Sequence, residues 1–173
     1  MAHNYQLQTM PQVQEELWKP STDHINNALI TDFFKTVGLS GADYSAAHRW
    51  SIENREEFWS AVWDFCGVVG EKGNEVLREA DRMPGARWFP DAQLNFAENL
   101  LRGCEDSEAL IFWDENGIRA RFTRKELFQA TASCAAALRA AGINAGDRVA
   151  AYLPNIPETV IVMLAVASIG AVF

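Results

Sequence analysis

Apolar residues along this chain fall into two regimes. Between residues 20 and 142 they recur at helical or alternating spacing, with polar residues between them, whereas from 156 to 173 they run almost unbroken. The last stretch sets the architecture. Arg148-Val149-Ala150-Ala151-Tyr152 predicts a buried strand and Leu153-Pro154-Asn155 a turn. Residues 156–169 predict a helix that Gly170 stops, and Ala171-Val172-Phe173 a second strand. Strand, helix and strand in that order make the crossover unit of a parallel sheet. A helix apolar nearly all round needs cover on most sides, and a parallel sheet needs it on both faces. The sequence stops as its second strand begins, so the expectation is the front end of something larger, with the chemistry beyond residue 173.

Upstream, Pro20-Ser21-Thr22 opens a predicted helix with Ile25, Leu29 and Phe33 on one side and Gly38 as its stop; Leu17 and Trp18 before it read as anchors. Residues 41–49 read as a connector. Asn54 with Glu57 reads as a capping pair for a helix carrying Phe58, Val62 and Phe65 on one stripe, with Trp59, Trp63 and Cys66 beside it. So many aromatics on one short helix make it the expected nucleus of a helical module. Residues 74–81 predict a short helix, and the turn-rich aromatic segment 82–90 a strap over the core. Asn95 with Glu98 caps a further short helix that Gly103 ends.

Strands follow at 109–113 and 118–122 around Glu115-Asn116-Gly117, and Asn-Gly is the strongest short hairpin signal. Alternation puts Ile118, Ala120 and Phe122 on one face and Arg119 and Arg121 on the other. Thr123 with Glu126 caps the next helix, whose stripe is Leu127, Phe128, Thr131, Ala135 and Leu138 and whose end is Gly142. Asn155 with Glu158 is a fourth capping pair, with Pro157 tolerated in the first turn. The polar break Glu105-Asp106-Ser107 places a boundary. The fold class is mixed α/β: a mostly helical module over residues 1–104, then the beginning of a layered α/β domain over 105–173, truncated.

Composition narrows the classes of function. Hydrophobic residues make up 49% of 173, enough for a core. A net charge of −8 argues against nucleic acid, whose binding rests on neutralising phosphates, and against an anionic membrane surface. Cys66, Cys104 and Cys134 are an odd count without a C-x-x-C pair, which fits a reducing cytoplasm better than a disulfide framework. The polar first 14 residues lack the apolar core of a secretory signal. The apolar run 156–173 carries Pro157, Glu158, Ser168 and Gly170 and falls short of the roughly 20 apolar residues a span needs.

The chemical inventory is thin. His3, His24 and His48 have no paired spacing for zinc. No Ser sits in G-x-S-x-G. The segment Gly67-Val68-Val69-Gly70-Glu71-Lys72-Gly73 invites a phosphate-loop reading, but it fits neither G-x-x-x-x-G-K-[ST] nor G-x-G-x-x-G and reads as a loop after a helix. Glu56-Glu57 and Glu105-Asp106 sit in charged, solvated surroundings where pKa tuning is weak. Arg87 with Trp88 would suit an anion beside a stacking ring, and His48-Arg49-Trp50 a ligand contact; packing accounts for both more simply. No catalytic, cofactor-binding or metal-binding residue is assigned.

Several ordered stretches carry a family resemblance. They are Leu17-Trp18-Lys19-Pro20-Ser21; Tyr44 with Trp50-Ser51-Ile52-Glu53-Asn54 and Glu57-Phe58-Trp59; and Met83-Pro84-Gly85-Ala86-Arg87-Trp88-Phe89-Pro90 with Leu94-Asn95-Phe96-Ala97-Glu98-Asn99-Leu100-Leu101. Gly146-Asp147-Arg148-Val149-Ala150, Leu153-Pro154-Asn155 and Gly170-Ala171-Val172-Phe173 complete the set. Together they resemble the N-terminal part of the acetoacetate–CoA ligases, within the acyl-adenylate-forming enzymes related to acetyl-CoA synthetase.

The resemblance implies a full-length enzyme that uses ATP, magnesium and CoA to turn a small acid, acetoacetate, into its CoA thioester through an acyl-adenylate. It makes the second domain the start of an adenylate-forming, AMP-binding core. The family's T-S-G-T-T-G-x-P-K loop, its Y-x-x-T-E motif, its ribose-binding Asp and its C-terminal lysine have no match here. These 173 residues alone are therefore expected to be inactive and to bind none of those cofactors. Expected partners are the remainder of the same polypeptide and, through the unfinished sheet, a second copy. The alternatives are a non-catalytic interaction or regulatory module derived from such a ligase, an acetyl- or propionyl-CoA synthetase-type ligase, and an unrelated small α/β binding domain.

Overall fold

The structure is a computed structural model that describes residues 17–39, 41, 43–103 and 105–173. The lead-in before Leu17, and Cys104 at the expected boundary, lie outside the described residues. Contacts divide the chain into one unit ending at Glu53 and another over Asn54–Phe173.

In the first unit the single helix expected from residue 20 is two. α1 spans Thr22–Asn26 and α2 spans Leu29–Thr36. Ser21 caps α1, its hydroxyl accepting the His24 N–H at 3.2 Å. The break follows from Asn27, whose side-chain amide donates to the Asp23 carbonyl at 2.9 Å and so competes with the next helical turn. Gly38 ends α2 with φ 74°, as expected. Leu17 and Trp18 are exposed rather than docked. The connector at 41–49 is mostly helix: α3 spans Tyr44–Glu53. Its cap is the Asp43 carboxylate, which accepts the Ala46 N–H at 2.7 Å.

The second unit starts with α4, Arg55–Phe65. Asn54 does not cap it through its side chain. Because α3 runs up to Glu53, Asn54 takes φ −119°, ψ 56° instead of the extended backbone that capping needs. The α4 aromatics hold the strap as expected. Trp59 meets Trp88 edge-on at 5.6 Å between ring centroids, and Trp63 meets Phe89 at 5.0 Å. The helix expected at 74–81 is absent. Leu77–Arg78 forms β1 and pairs antiparallel with β2, Arg87–Trp88. The Phe89 N–H reaches the Val76 carbonyl at 2.8 Å, and Glu79 turns to φ 54°. Cross-strand pairing thus overrides a local helical tendency.

α5 spans Phe96–Leu101, β3 Glu108–Asp114, β4 Gly117–Thr123, α6 Arg124–Ala140 and α7 Pro157–Ile169. The hairpin forms as expected, with Phe112 opposite Ala120 and Asp114 opposite Gly117. An irregularity between Phe112 and Trp113 brings Ile118 opposite Trp113, so Ile118 is exposed and does not join the Ala120 and Phe122 face. α6 buries Leu127, Thr131 and Ala135, while Phe128 stays 55% exposed. The Thr131 hydroxyl, 2% exposed, has no hydrogen-bond partner.

α7 is covered nearly all round. Leu164, Ala165 and Val166 are fully buried, and Glu158 is its one exposed residue. The core joins Ala97 of α5, Leu127 of α6 and Leu164 of α7. Ile156, not Asn155, occupies the N-cap of α7, with no side-chain hydrogen bond there. The Thr159 hydroxyl instead donates to the Pro154 carbonyl at 2.7 Å. Gly170 ends the helix at φ 83°, with Ala171 N–H on the Val166 carbonyl and Gly170 N–H on that of Ala167, a Schellman closure.

The crossover exists in a minimal form. Arg148 and Val172 make one parallel bridge, and Val149 and Val172 N–H groups donate at 2.8 Å to the Val172 and Asp147 carbonyls. The extended strand expected over 148–152 is absent; Tyr152 is fully exposed.

Asn95 does two jobs. Its Oδ1 accepts the Glu98 N–H at 3.2 Å, capping α5, and its Nδ2 donates to the Ala167 carbonyl of α7 at 3.0 Å. Asn95→Asp keeps the cap but loses the donor and sets a charge at the negative end of α7. It is expected to lower stability by about 1–2 kcal/mol, read from the urea midpoint; an unchanged midpoint would contradict this role.

The α6 capping box is complete: Glu126 accepts the Thr123 N–H at 2.8 Å and its hydroxyl at 3.0 Å, and the Glu126 N–H donates to Thr123 Oγ1 at 3.2 Å. The bond from the Thr123 backbone, then the one from its hydroxyl, holds the Glu126 carboxyl below its ordinary pKa of 4.5. A depressed folded pKa contributes stability that is present above the unfolded value and lost as pH falls through the folded one. Hydrogen exchange should show first-turn α6 protection that persists above pH 4.5 and fades below it, with Glu126→Gln removing the dependence. Wild-type protection independent of pH in the acid range would contradict the assignment.

Candidate functional site

The loop after α4 is built for packing. Lys72, the candidate phosphate lysine, donates to the Ser60 carbonyl at 3.1 Å, the Ser60 hydroxyl at 2.8 Å and both Asp64 oxygens at 3.0 Å. Its ammonium is spent on the α4 surface. Gly70, at φ 151°, is a glycine because the chain crosses close by: a Cβ there would come within 2.6 Å of the Gln93 carbonyl oxygen and of Leu94 Cβ. The backbones of Glu71 and Gln93 exchange hydrogen bonds at 2.8 Å beside it.

Two side chains of α5 and its end serve the same loop. Asn99 Oδ1 accepts the Val69 N–H at 2.9 Å, and its Nδ2 donates to the Val69 carbonyl at 2.8 Å. Arg102 donates to the carbonyl of Cys66, the C-cap of α4, at 2.7 Å and to that of Gly67 after it. A cation there also complements the helix dipole. Arg124, first residue of α6, does the same for α5, donating to the Leu100 and Arg102 carbonyls at 3.3 Å.

Between α5 and α6 lies a groove of about 360 Å³ bordered by Leu101, Arg102, Gly103, Glu105, Arg124, Lys125 and Phe128, among others. A second, of about 500 Å³, shares Leu101, Arg102 and Phe128 and reaches Asn95, Glu98 and Ser168. Arg102 and Arg124 hold backbone carbonyls, and Lys125 pairs with Glu105 at 3.7 Å. Glu98 and Glu105 add negative charge, so the lining is mixed in sign.

The remaining candidates also resolve into structure. Trp88 packs on Trp59, while Arg87 lies opposite Arg78 in the ribbon. Arg78, bonded to Glu75 and facing Asp91, is raised above its ordinary pKa by that hydrogen bond. His48 stacks on Tyr44 at 6.2 Å within α3, and the His24 ring meets Ser21 Oγ at 2.9 Å. Glu56 and Glu57 are exposed in the first turn of α4. Among the described residues no group of three or more His, Cys, Asp or Glu is placed to hold a metal ion, and no helix is long and apolar enough to cross a membrane.

Sequence reasoning read Asn95 only as a cap of α5, which it is, and missed its reach to α7 and the roles of Asn99 and Arg102. The signal available was their spacing of four and three, which places polar side chains along one face of a helix.

Two family models match the chain. Residues 44–100 match the acetyl-coenzyme A synthetase N-terminus, and residues 96–173 match the AMP-binding enzyme family. An acetoacetyl-coenzyme A synthetase of Rhizobium meliloti (strain 1021) is 46% identical over 166 residues, which is 94% of this chain and 26% of that protein. An acetoacetyl-CoA synthetase of Xenopus tropicalis is 42% identical over 146 residues, 80% of this chain and 21% of the relative. A malonamoyl-CoA synthetase of Penicillium aethiopicum is 36% identical over 173 residues, 94% of this chain and 24% of its own length. The solved structure of acetoacetyl-CoA synthetase from Streptomyces lividans superposes with a TM-score of 0.78 at 41% identity, covering 89% of this chain and 25% of that one.

The groups weighed for a phosphate are already engaged. Lys72, Arg102 and Arg124 are committed to backbone and side-chain oxygens, and Gly70 opens no cradle because another strand fills the space. In sequence and in fold the chain is similar to part of acetoacetyl-CoA synthetases, with a match to the acetyl-coenzyme A synthetase N-terminus followed by one to the AMP-binding enzyme family, and it spans about a quarter of the length of the relatives it matches.

Proposed function

We propose that this chain serves as the amino-terminal part of an ATP-dependent, AMP-forming acid–CoA ligase, and that it has no ligase activity by itself. The observation that carries this reading is identity of 46% over 94% of the chain against 26% of a named acetoacetyl-coenzyme A synthetase. The acid we assign is acetoacetate, supported by the names of most relatives; the malonamoyl-CoA synthetase shows that similar residues occur with another acid. ATP, Mg²⁺ and CoA belong to the longer protein, and no residue of these 173 is assigned to them. A module boundary near 104–105 is part of the reading, supported by the two family models meeting at 96–100. So is a reducing cytoplasmic location, supported by three cysteines without a pairing pattern.

The role of this part is structural. It covers α7 and holds the start of the core, and the rest of the polypeptide is its partner. The purified 173-residue chain is expected to show no acetoacetate-dependent ATP–pyrophosphate exchange, and a longer protein carrying it is expected to show clear exchange. Exchange by the short chain, or none by the longer one, would overturn the proposal.

Self-association of the isolated chain belongs to the same reading. Val172 and Phe173 at the parallel pair, and Tyr152 and Leu153 after Arg148, are exposed, and such apolar surface favours association. Light scattering is expected to show mass rising with concentration; a monomer throughout would count against it.

A further inference from the structure

The polar stripe of α5 touches structure on two sides. Asn99 pairs with both backbone groups of Val69 at 2.9 and 2.8 Å, as a neighbouring strand would. Arg102 holds the Cys66 and Gly67 carbonyls just before it. Asn99 Nδ2 also donates to the Asn95 carbonyl at 3.0 Å. From the other end, Asn95 Nδ2 reaches the Ala167 carbonyl at 3.0 Å and that of Ser168 at 3.4 Å, in the last turn of α7. Two residues on, Gly170 accepts the Gly146 N–H at 2.9 Å, and Val172 enters the parallel bridge with Arg148.

A continuous run of hydrogen bonds therefore leads from the α4 exit loop, through one short helix, to the strand pair of the crossover. α5 has only six residues, and a helix so short has little stability of its own. Its position is set by these ties and by the burial of Ala97. We propose that α5 is a coupling clip: seating of the α4 exit loop on Asn99 and Arg102 sets the end of α7 through Asn95, and with it the parallel pair at Val172. Loosening the loop end loosens the crossover, although Val69 and Val172 belong to segments matched by different family models. Energetic coupling of this kind runs through hydrogen-bond networks and rigid elements, and it has to be shown by perturbing one end and reading the other.

Asn99→Ala in the full 173-residue chain removes the tie to Val69 and leaves the Ala97, Leu127 and Leu164 core intact. Amide hydrogen exchange resolved by residue is the readout. The Val69 amide is expected to exchange faster, and the amides of Gly146, Val149 and Val172 about tenfold faster, the worth of roughly one hydrogen bond, while the β3–β4 ladder keeps its protection. Faster exchange at Val69 alone would make Asn99 a local contact and overturn the proposal. Equal acceleration in the β3–β4 ladder would mean a general loss of stability and would overturn it as well. Should Asn99→Ala fail to fold, Asn99→Asp keeps the acceptor for the Val69 N–H and loses the donors, and the same comparison applies. Failure of both variants to fold would make the stripe a global stability element and also reject the coupling.

Discussion

Everything in the second unit answers to one constraint: α7 has almost no polar face. Leu164, Ala165 and Val166 are fully buried, and burying a leucine is worth about 2 kcal/mol only where neighbours exclude water on every side. α6 covers one flank through Leu127, and α5 covers another through Ala97, whose small side chain lets the helices approach closely. The hairpin packs against α6, and the strap packs on the α4 aromatics. With α7 placed, the Schellman turn at Gly170 brings Val172 beside Arg148, and the parallel pair forms.

The same constraint explains where the charged and amide side chains went. Short helices leave terminal carbonyls without partners, and this unit brings several helix ends together. Arg102, Arg124 and Asn95 supply donors to the ends of α4, α5 and α7 in turn. Residues that could have served an anion are thereby consumed in holding helix ends. The loop around Gly70 and Lys72 shows the same logic: its glycine admits a crossing backbone and its lysine ties the loop to α4.

The segments that were legible in the sequence are those whose signals are local and agree with burial. Thr123 and Glu126 close a capping box because both meet within one turn. The hairpin around Asn116 and Gly117, α7 and its stop at Gly170 follow for similar reasons. The misreadings came where another segment decided. Residues 74–81 have a helical pattern, but β1 forms because Arg87 and Trp88 lie alongside. Asn54 has the right neighbour in Glu57, yet the helix arriving at Glu53 takes away the backbone conformation a cap needs. The exposure of Ile118 rests on a ladder irregularity that alternation cannot show.

By itself, then, the sequence determined the mixed α/β class, the order of strong helices, the crossover's helix with its stop, and the family resemblance, because these rest on periodicity and on ordered local motifs. The tertiary structure alone decided the uses of the polar residues. Whether Lys72 meets a phosphate or Asp64, and whether Asn95 only caps α5 or also reaches α7 across 72 residues of chain, depends on what packing brings within 3 Å. No spacing along the chain encodes that, since hydrogen-bond partners distant in sequence are chosen by the helices whose burial comes first.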